Sequence, residues 1–276
     1  MPHRVRRISY FFLCAFPILS FVFAAARPLR VAGVYQLIGA VLFTAVVIAA
    51  WVVGAPVISI SEAGKRKFAL AGVLLILPFA IISLLWVGIG PPFQASPSEN
   101  YMRYLVLVWD SIIVTSAFIV LKEALHEAGE RFYSLLGFAM ALPAGAAYLV
   151  CLNISLAHVA TVLGGDKTPP PAILGNLYSA IEFVACLLTY ATTAVVAIAL
   201  GQARVLGRGA ARAYVIASAI FVVLLVMRGI AFPEISGSTA PYYTRPGVIA
   251  GIPAIPWLMP GLLGAVVLRW AGEAQS

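Results

Sequence analysis

Eight long apolar runs limit what this chain can fold into. They lie at Ile8–Ala26, Val31–Val53, Phe68–Ile89, Tyr104–Leu121, Phe132–Ala157, Ile173–Leu200, Arg212–Phe232 and Gly247–Trp270. A helix needs about 20 mostly apolar residues to cross the hydrocarbon core of a bilayer. The runs lack the strand-like alternation of a transmembrane barrel, so they read as helices. The sequence therefore predicts an all-α, polytopic transmembrane helical bundle of about eight spans, forming a single integral membrane domain over residues 1–276.

Charge content supports the same class. Only 10% of the 276 residues are charged and 62% are apolar, against about 25% charged in a soluble domain. Disorder is excluded by that apolar content. The three cysteines, Cys14, Cys151 and Cys186, all fall within apolar runs, which argues for small buried hydrophobes rather than a disulfide framework. No Cys/His cluster or phosphate loop points to a metal or cofactor. The net charge of +8 is spread in short groups between apolar runs. Such groups set membrane orientation, so the expected partner is the lipid bilayer and not nucleic acid.

With the N-terminus placed inside, twelve of the eighteen Lys and Arg fall on inner segments and six on outer ones. The trio Arg4, Arg6, Arg7 and the group Lys65, Arg66, Lys67 carry most of this bias, and Arg27 and Arg30 oppose it. The positive-inside rule then puts both termini in the cytoplasm, and a bacterial inner (plasma) membrane is the expected location. The inner segments are too short to hold a soluble catalytic domain. The outer ones, at 90–100, 164–171 and 233–246, are rich in Pro, Gly and Ser and read as ordered turns.

Three spans have irregular features. The last carries Pro253, Pro256 and Pro260, which predicts a kinked helix or one that begins late. The fifth contains Pro143 and stays apolar to Leu163, which predicts a long, bent helix. The first ends in Ala24-Ala25-Ala26 after a basic start and so also fits a signal peptide. The next run begins only a few residues later, and a tight helical hairpin explains that spacing more simply. A Gly247-x-x-x-Gly251 spacing hints at close helix packing.

Polar residues inside spans are costly and need a reason. At 1.5 Å per residue, Asp110 lies about 9 Å and Glu182 about 14 Å from the outer ends of their runs, with Arg228 and His158 about 8 Å in. Gln36 lies at a similar depth, and Asn153 and Asn176 share the outer half. Tyr178, Glu182, Cys186, Thr189 and Thr193 recur at three- and four-residue steps, a stripe on one helix face. This clustering predicts an outward-facing polar site made by Asp110, Glu182, Arg228, His158, Tyr178 and Gln36. The alternatives are structural: Arg228 and His158 snorkelling to headgroups, an Asp110–Arg228 pair, or Asp110 and Glu182 sharing a proton.

The stretch from Lys122 to Arg131, KEALHEAGER, reads as a solvated helix extension with charges at ion-pair spacing. No nucleophile elbow, facing histidine pair or intramembrane lysine is present. Three functions remain: a small-solute or ion permease, a non-transporting accessory, assembly or sensory subunit, and an intramembrane enzyme acting on a lipid or isoprenoid. Oligomeric state is not legible.

Overall fold

A computed structural model describes residues 3–25, 33–59, 62–90, 92, 95–166, 168, 171–230, 250 and 254–273. Several sequence expectations fall elsewhere. Those at Arg27, Arg30, Lys167, Pro169, Pro170, Arg245, Pro253, the 233–246 segment and the Gly247/Gly251 spacing lie outside the described residues.

The described chain is all helical: α1 (His3–Ala25), α2 (Val34–Gly54), a short 3-10 turn (Ala55–Ser59), α3 (Ala63–Gly88), α4 (Pro97–Glu127), α5 (Phe132–Leu163), α6 (Ala172–Gln202), α7 (Arg208–Arg228) and α8 (Ala254–Glu273). Among the described residues, seven helices, α2 to α8, are long and apolar enough to cross a membrane. The chain is a multi-pass membrane protein built as a helical bundle. Consecutive helices from α1 to α7 pack side by side, and α8 returns to pack chiefly on α3, touching α1, α2 and α6 as well.

Within lipid, helix association depends on close packing and not on water exclusion, so small residues mark the contacts. The α3–α8 crossing shows this. A Cβ added to Gly264 would lie 2.6 Å from the Gly72 carbonyl oxygen, and one added to Gly72 would lie 2.8 Å from the Gly264 oxygen. The two backbones touch. Gly137 of α5 meets the Val196 side chain of α6, and Gly145 of α5 meets the Thr115 side chain of α4. Around the α3–α8 seam, Leu75, Val53, Leu121, Leu200, Leu263 and Leu268 are fully buried. From α1, Leu13 and Phe16 join this core, and Phe16 sets its ring edge-on to Phe79 of α3.

The helix bounds differ from the apolar runs for identifiable reasons. Helix α4 starts at Pro97, seven residues before the run at Tyr104. Ser96 and Glu99 form a reciprocal capping box with Pro97 at the first turn, a strong helix start that hydropathy does not register. The same helix continues through Lys122–Glu127, but it stops short of Arg131, where the expected extension ended, because Gly129 takes φ +90°. Its Glu127 pairs across to Lys67 of α3, while Lys122 pairs with Glu123 at 2.7 Å. Glu130 caps α5, accepting from the backbone N–H of Tyr133 at 2.8 Å and Ser134 at 2.7 Å. Helix α5 runs through Pro143 to Leu163 as one element. Helix α7 stops at Arg228, because Gly229 takes φ +79°. Among the described residues α8 spans Ala254–Glu273 and carries Pro260 inside the helix.

One end of the bundle, which the charge bias predicts to be the inner one, gathers the Lys67–Glu127 pair and the Arg6 guanidinium, which donates to the Arg269 carbonyl at 3.2 Å. Helix α1 therefore starts at the end where α8 finishes. The opposite end, where α4 and α6 begin and α5 finishes, is the outer end under the charge bias.

Candidate functional site

At the end where α4 and α6 begin and α5 finishes, α3, α4, α5, α6 and α8 line a cavity of about 550 Å³. Its size lies within the range of sites for small organic ligands. The wall on α4 is Asn100, Arg103, Tyr104 and Leu107, which recur at three- and four-residue steps on one face. Helix α5 supplies Ser155 and His158, and α6 supplies Tyr178 and Glu182. Trp86 of α3 closes one side.

The floor is aromatic. Tyr148 of α5 and Trp257 of α8 stand edge to face, with centroids 5.2 Å apart and planes at 88°. The same two residues line a smaller void on the far side, together with Thr115, Thr189 and Thr192. That void measures about 10 Å³, room for about one water molecule. The two rings thus border both spaces, and the deeper void presents only apolar surface, since Thr115 and Thr189 turn their hydroxyls to the Ser111 and Ala185 carbonyls of their own helices.

Of the residues singled out from sequence, three line the cavity: Tyr178, Glu182 and His158. Glu182 is 3% exposed and lies about 15 Å along α6 from Ala172, counting 1.5 Å per residue. The stripe it belongs to faces inward, with Cys186, Thr189 and Thr193 all buried. Arg228 is buried at the C-terminus of α7, where the helix dipole favours a cation. It does not snorkel to headgroups. Glu182 and Arg228 both lie within electrostatic reach of the Cys186 thiol, and Glu182 also reaches Cys151. His158 is half-buried and turned to the cavity.

Asp110 is placed differently. It lies thirteen residues along a 31-residue helix, or about 20 Å from its start and near the middle. The shallower depth expected from sequence came from starting the span at Tyr104. Asp110 is fully buried and neither carboxyl oxygen has a hydrogen-bond partner. No hydrogen bond or ion pair joins it to Glu182 or Arg228 among the described residues, so neither the Asp110–Arg228 pair nor the shared proton with Glu182 is present. Gln36 is exposed on α2, near Gly88 of α3, and is not brought to the cavity. Asn153 bonds its own helix at Leu149 and faces outward.

Arg103 has a larger part in the site than its sequence position indicates. It is 2% exposed, lines the cavity and donates to the Gly90 carbonyl. By sequence it counts only as a charge near a helix end. The signal that places it inside a helix is the capping box seven residues earlier. Asn100 braces the same rim by donating to the Pro92 carbonyl at 2.8 Å. Among the described residues, no three His, Cys, Asp or Glu side chains converge as a metal site.

No protein-family model, curated protein or solved structure matches this chain. The functional reading therefore rests on the geometry of the cavity.

Proposed function

We propose that this chain is a small-solute or ion permease whose binding site is the outer cavity. With the basic inner segments facing the cytoplasm of a bacterial plasma membrane, the cavity opens to the exterior. The observation that carries the reading is the pair of spaces on either side of Tyr148 and Trp257. A solute entering from outside meets Arg103 and His158 near the mouth and Glu182 low in the wall. Below the aromatic floor lies a void of about 10 Å³ bordered by Thr115, Thr189 and Thr192, where the route would have to widen for a solute to pass. Buried ionisable groups lining a space within a membrane bundle mark substrate pathways.

An accessory or assembly subunit needs a polar network for helix register but has no use for an open cavity of this size. An intramembrane enzyme needs a nucleophile activated by a base, and although Ser155 and Cys151 line the cavity with His158, no hydrogen bond joins either to the imidazole among the described residues, and Cys151 donates to the Tyr178 carbonyl instead. The test is uptake of a panel of small solutes and ions into proteoliposomes holding the full chain. Uptake of at least one member, reduced at least about tenfold by Glu182→Gln, is expected from losing a buried charge contact. Equal uptake of every solute by the two proteins removes the reading.

A further inference from the structure

The buried faces of α4 link the two spaces. Leu107 lines the outer cavity and Val114 the inner void, and Asp110 lies between them at three- and four-residue steps. Asp110 lines neither space and sits along the helix between the level of the outer cavity and that of the inner void. It is fully buried, and both of its oxygens are without a hydrogen-bond partner.

An ionised carboxylate in that position is far too costly to persist, since a buried charge needs a paired charge or several donors. A neutral carboxyl is tolerated. The titratable and charged groups on the surrounding elements are few. Helix α5 brings Tyr148, Cys151 and His158, α6 brings Glu182, and α4 itself carries Arg103 and Tyr104 about two turns outward. Helix α3 has no ionisable side chain between Phe68 and Gly88. None of these forms a hydrogen bond or ion pair with Asp110 among the described residues.

Nearby hydroxyls are also committed elsewhere. Ser111 donates to the Leu107 carbonyl at 3.1 Å, and Thr115 donates to the Ser111 carbonyl at 2.8 Å. A sodium ion would require several oxygen ligands converging on Asp110, and the stripe does not offer them. A proton needs only the carboxyl.

We propose that Asp110 is the proton-carrying group of this protein, and that its protonation controls which of the two spaces is open. The proposal rests on the permease reading and deepens it to a proton-coupled one. In the state seen here the carboxyl holds its proton and the barrier is closed around it. Movement at the Tyr148–Trp257 floor that brings water from the inner side to Asp110 lets the carboxyl release its proton to that water. The resulting carboxylate is hydrated until a proton from the outer side neutralises it again. The proton alone is transferred, and no bond of the chain is broken.

The test uses the full chain in sealed vesicles, with Cys14→Ser, Cys151→Ala and Cys186→Ala, and a reporter at Ser155→Cys in the cavity. Labelling by a membrane-impermeant thiol reagent is followed from about pH 5 to about pH 9, relative to the exposed reference Ser98→Cys. A single proton linked to the opening equilibrium changes the ratio of open to closed forms by up to about tenfold per pH unit.

The expected result is a pH-dependent labelling ratio that becomes flat with Asp110→Asn. It keeps a slope, with a moved midpoint, with Asp110→Glu, and survives His158→Gln and Glu182→Gln. A slope unchanged by Asp110→Asn, a slope abolished by His158→Gln or Glu182→Gln instead, or no slope in the parent overturns the proposal. So does a labelling ratio that follows sodium and ignores pH. If Asp110→Asn does not fold, the infrared carboxyl band of the parent protein decides. A buried protonated-carboxyl band that shifts in Asp110→Glu supports the proposal, and its absence overturns it. Failure of the permease reading looks different: a reporter at Thr192→Cys is then never labelled from the inner side at any pH.

Discussion

Trp257, near the start of α8, stands edge-on to Tyr148 at the middle of α5, with ring centroids 5.2 Å apart. The two residues are 109 positions apart in sequence, yet together they close the outer cavity and roof the inner void. Edge-to-face packing suits this role because it fills the gap between two helices with rigid surface.

Truncating the ring should open the floor. Trp257→Ala is expected to lower stability by about 3 kcal/mol, the usual cost of deleting a large buried aromatic. In the same variant, a reporter at Thr192→Cys should become reactive toward an external thiol reagent, and it should be protected when Trp257 is intact. Detergent melting and labelling measured together separate the packing loss from the opened path.

The α3–α8 crossing makes a packing prediction. Gly264→Ala places a methyl group 2.6 Å from the Gly72 carbonyl oxygen, so the helices must separate. A loss of about 2 kcal/mol is expected from overpacking. Gly209→Ala, where nothing lies within 4 Å of the added carbon, should be neutral or gain up to about 1 kcal/mol from helix propensity. Thermal unfolding of the two variants in one detergent compares them.

The two interior acids should behave differently toward Arg228. Glu182 and Arg228 approach the same Cys186 thiol, whereas Asp110 shares no bond with either. Changes at Glu182 and Arg228 should therefore couple by about 1 kcal/mol or more in a double-mutant cycle. Asp110→Asn and Arg228→Gln should add to within about 0.5 kcal/mol. Strong coupling in the second cycle would contradict the placement of Asp110.

The turn after α5 carries a pH-dependent contact. Asp166 accepts from the Thr168 backbone N–H at 2.9 Å and from the Thr168 hydroxyl. These hydrogen bonds hold its carboxyl below the usual carboxylate range. A lowered folded value means the contact contributes fully above the unfolded value near about 3.9 and is lost as pH falls through the lower folded value. A carbon-detected NMR titration of Asp166 should give a midpoint below about 3.9, and Thr168→Val should raise it.

Much of this architecture is legible in the sequence. The apolar runs mark all eight helices, and the three- and four-residue steps from Tyr178 to Thr193 mark the inward face of α6. The depth of Asp110 is not legible from hydropathy, because α4 is started by Ser96 and Glu99, polar residues that cap a helix outside its apolar run. Reading that cap moves Asp110 to mid-helix and brings Arg103 into the wall. Gln36 shares a depth with the site but not a direction, and depth along a helix says nothing about which neighbour a side chain faces. The Tyr148–Trp257 floor depends on how α8 returns between α3 and α6, a long-range packing choice driven by the glycine contact at Gly72 and Gly264.

The proposed outward cavity is best tested by labelling with a membrane-impermeant thiol reagent. Ser155→Cys and Tyr178→Cys are placed on the cavity wall and Thr192→Cys beyond the floor, in a chain without its native cysteines. Applied from outside, the reagent should modify the first two readily and leave the third protected while Tyr148 and Trp257 are intact. Complete protection of Ser155→Cys and Tyr178→Cys from the outer side would contradict an outward-facing site and leave the buried polar groups with a structural role.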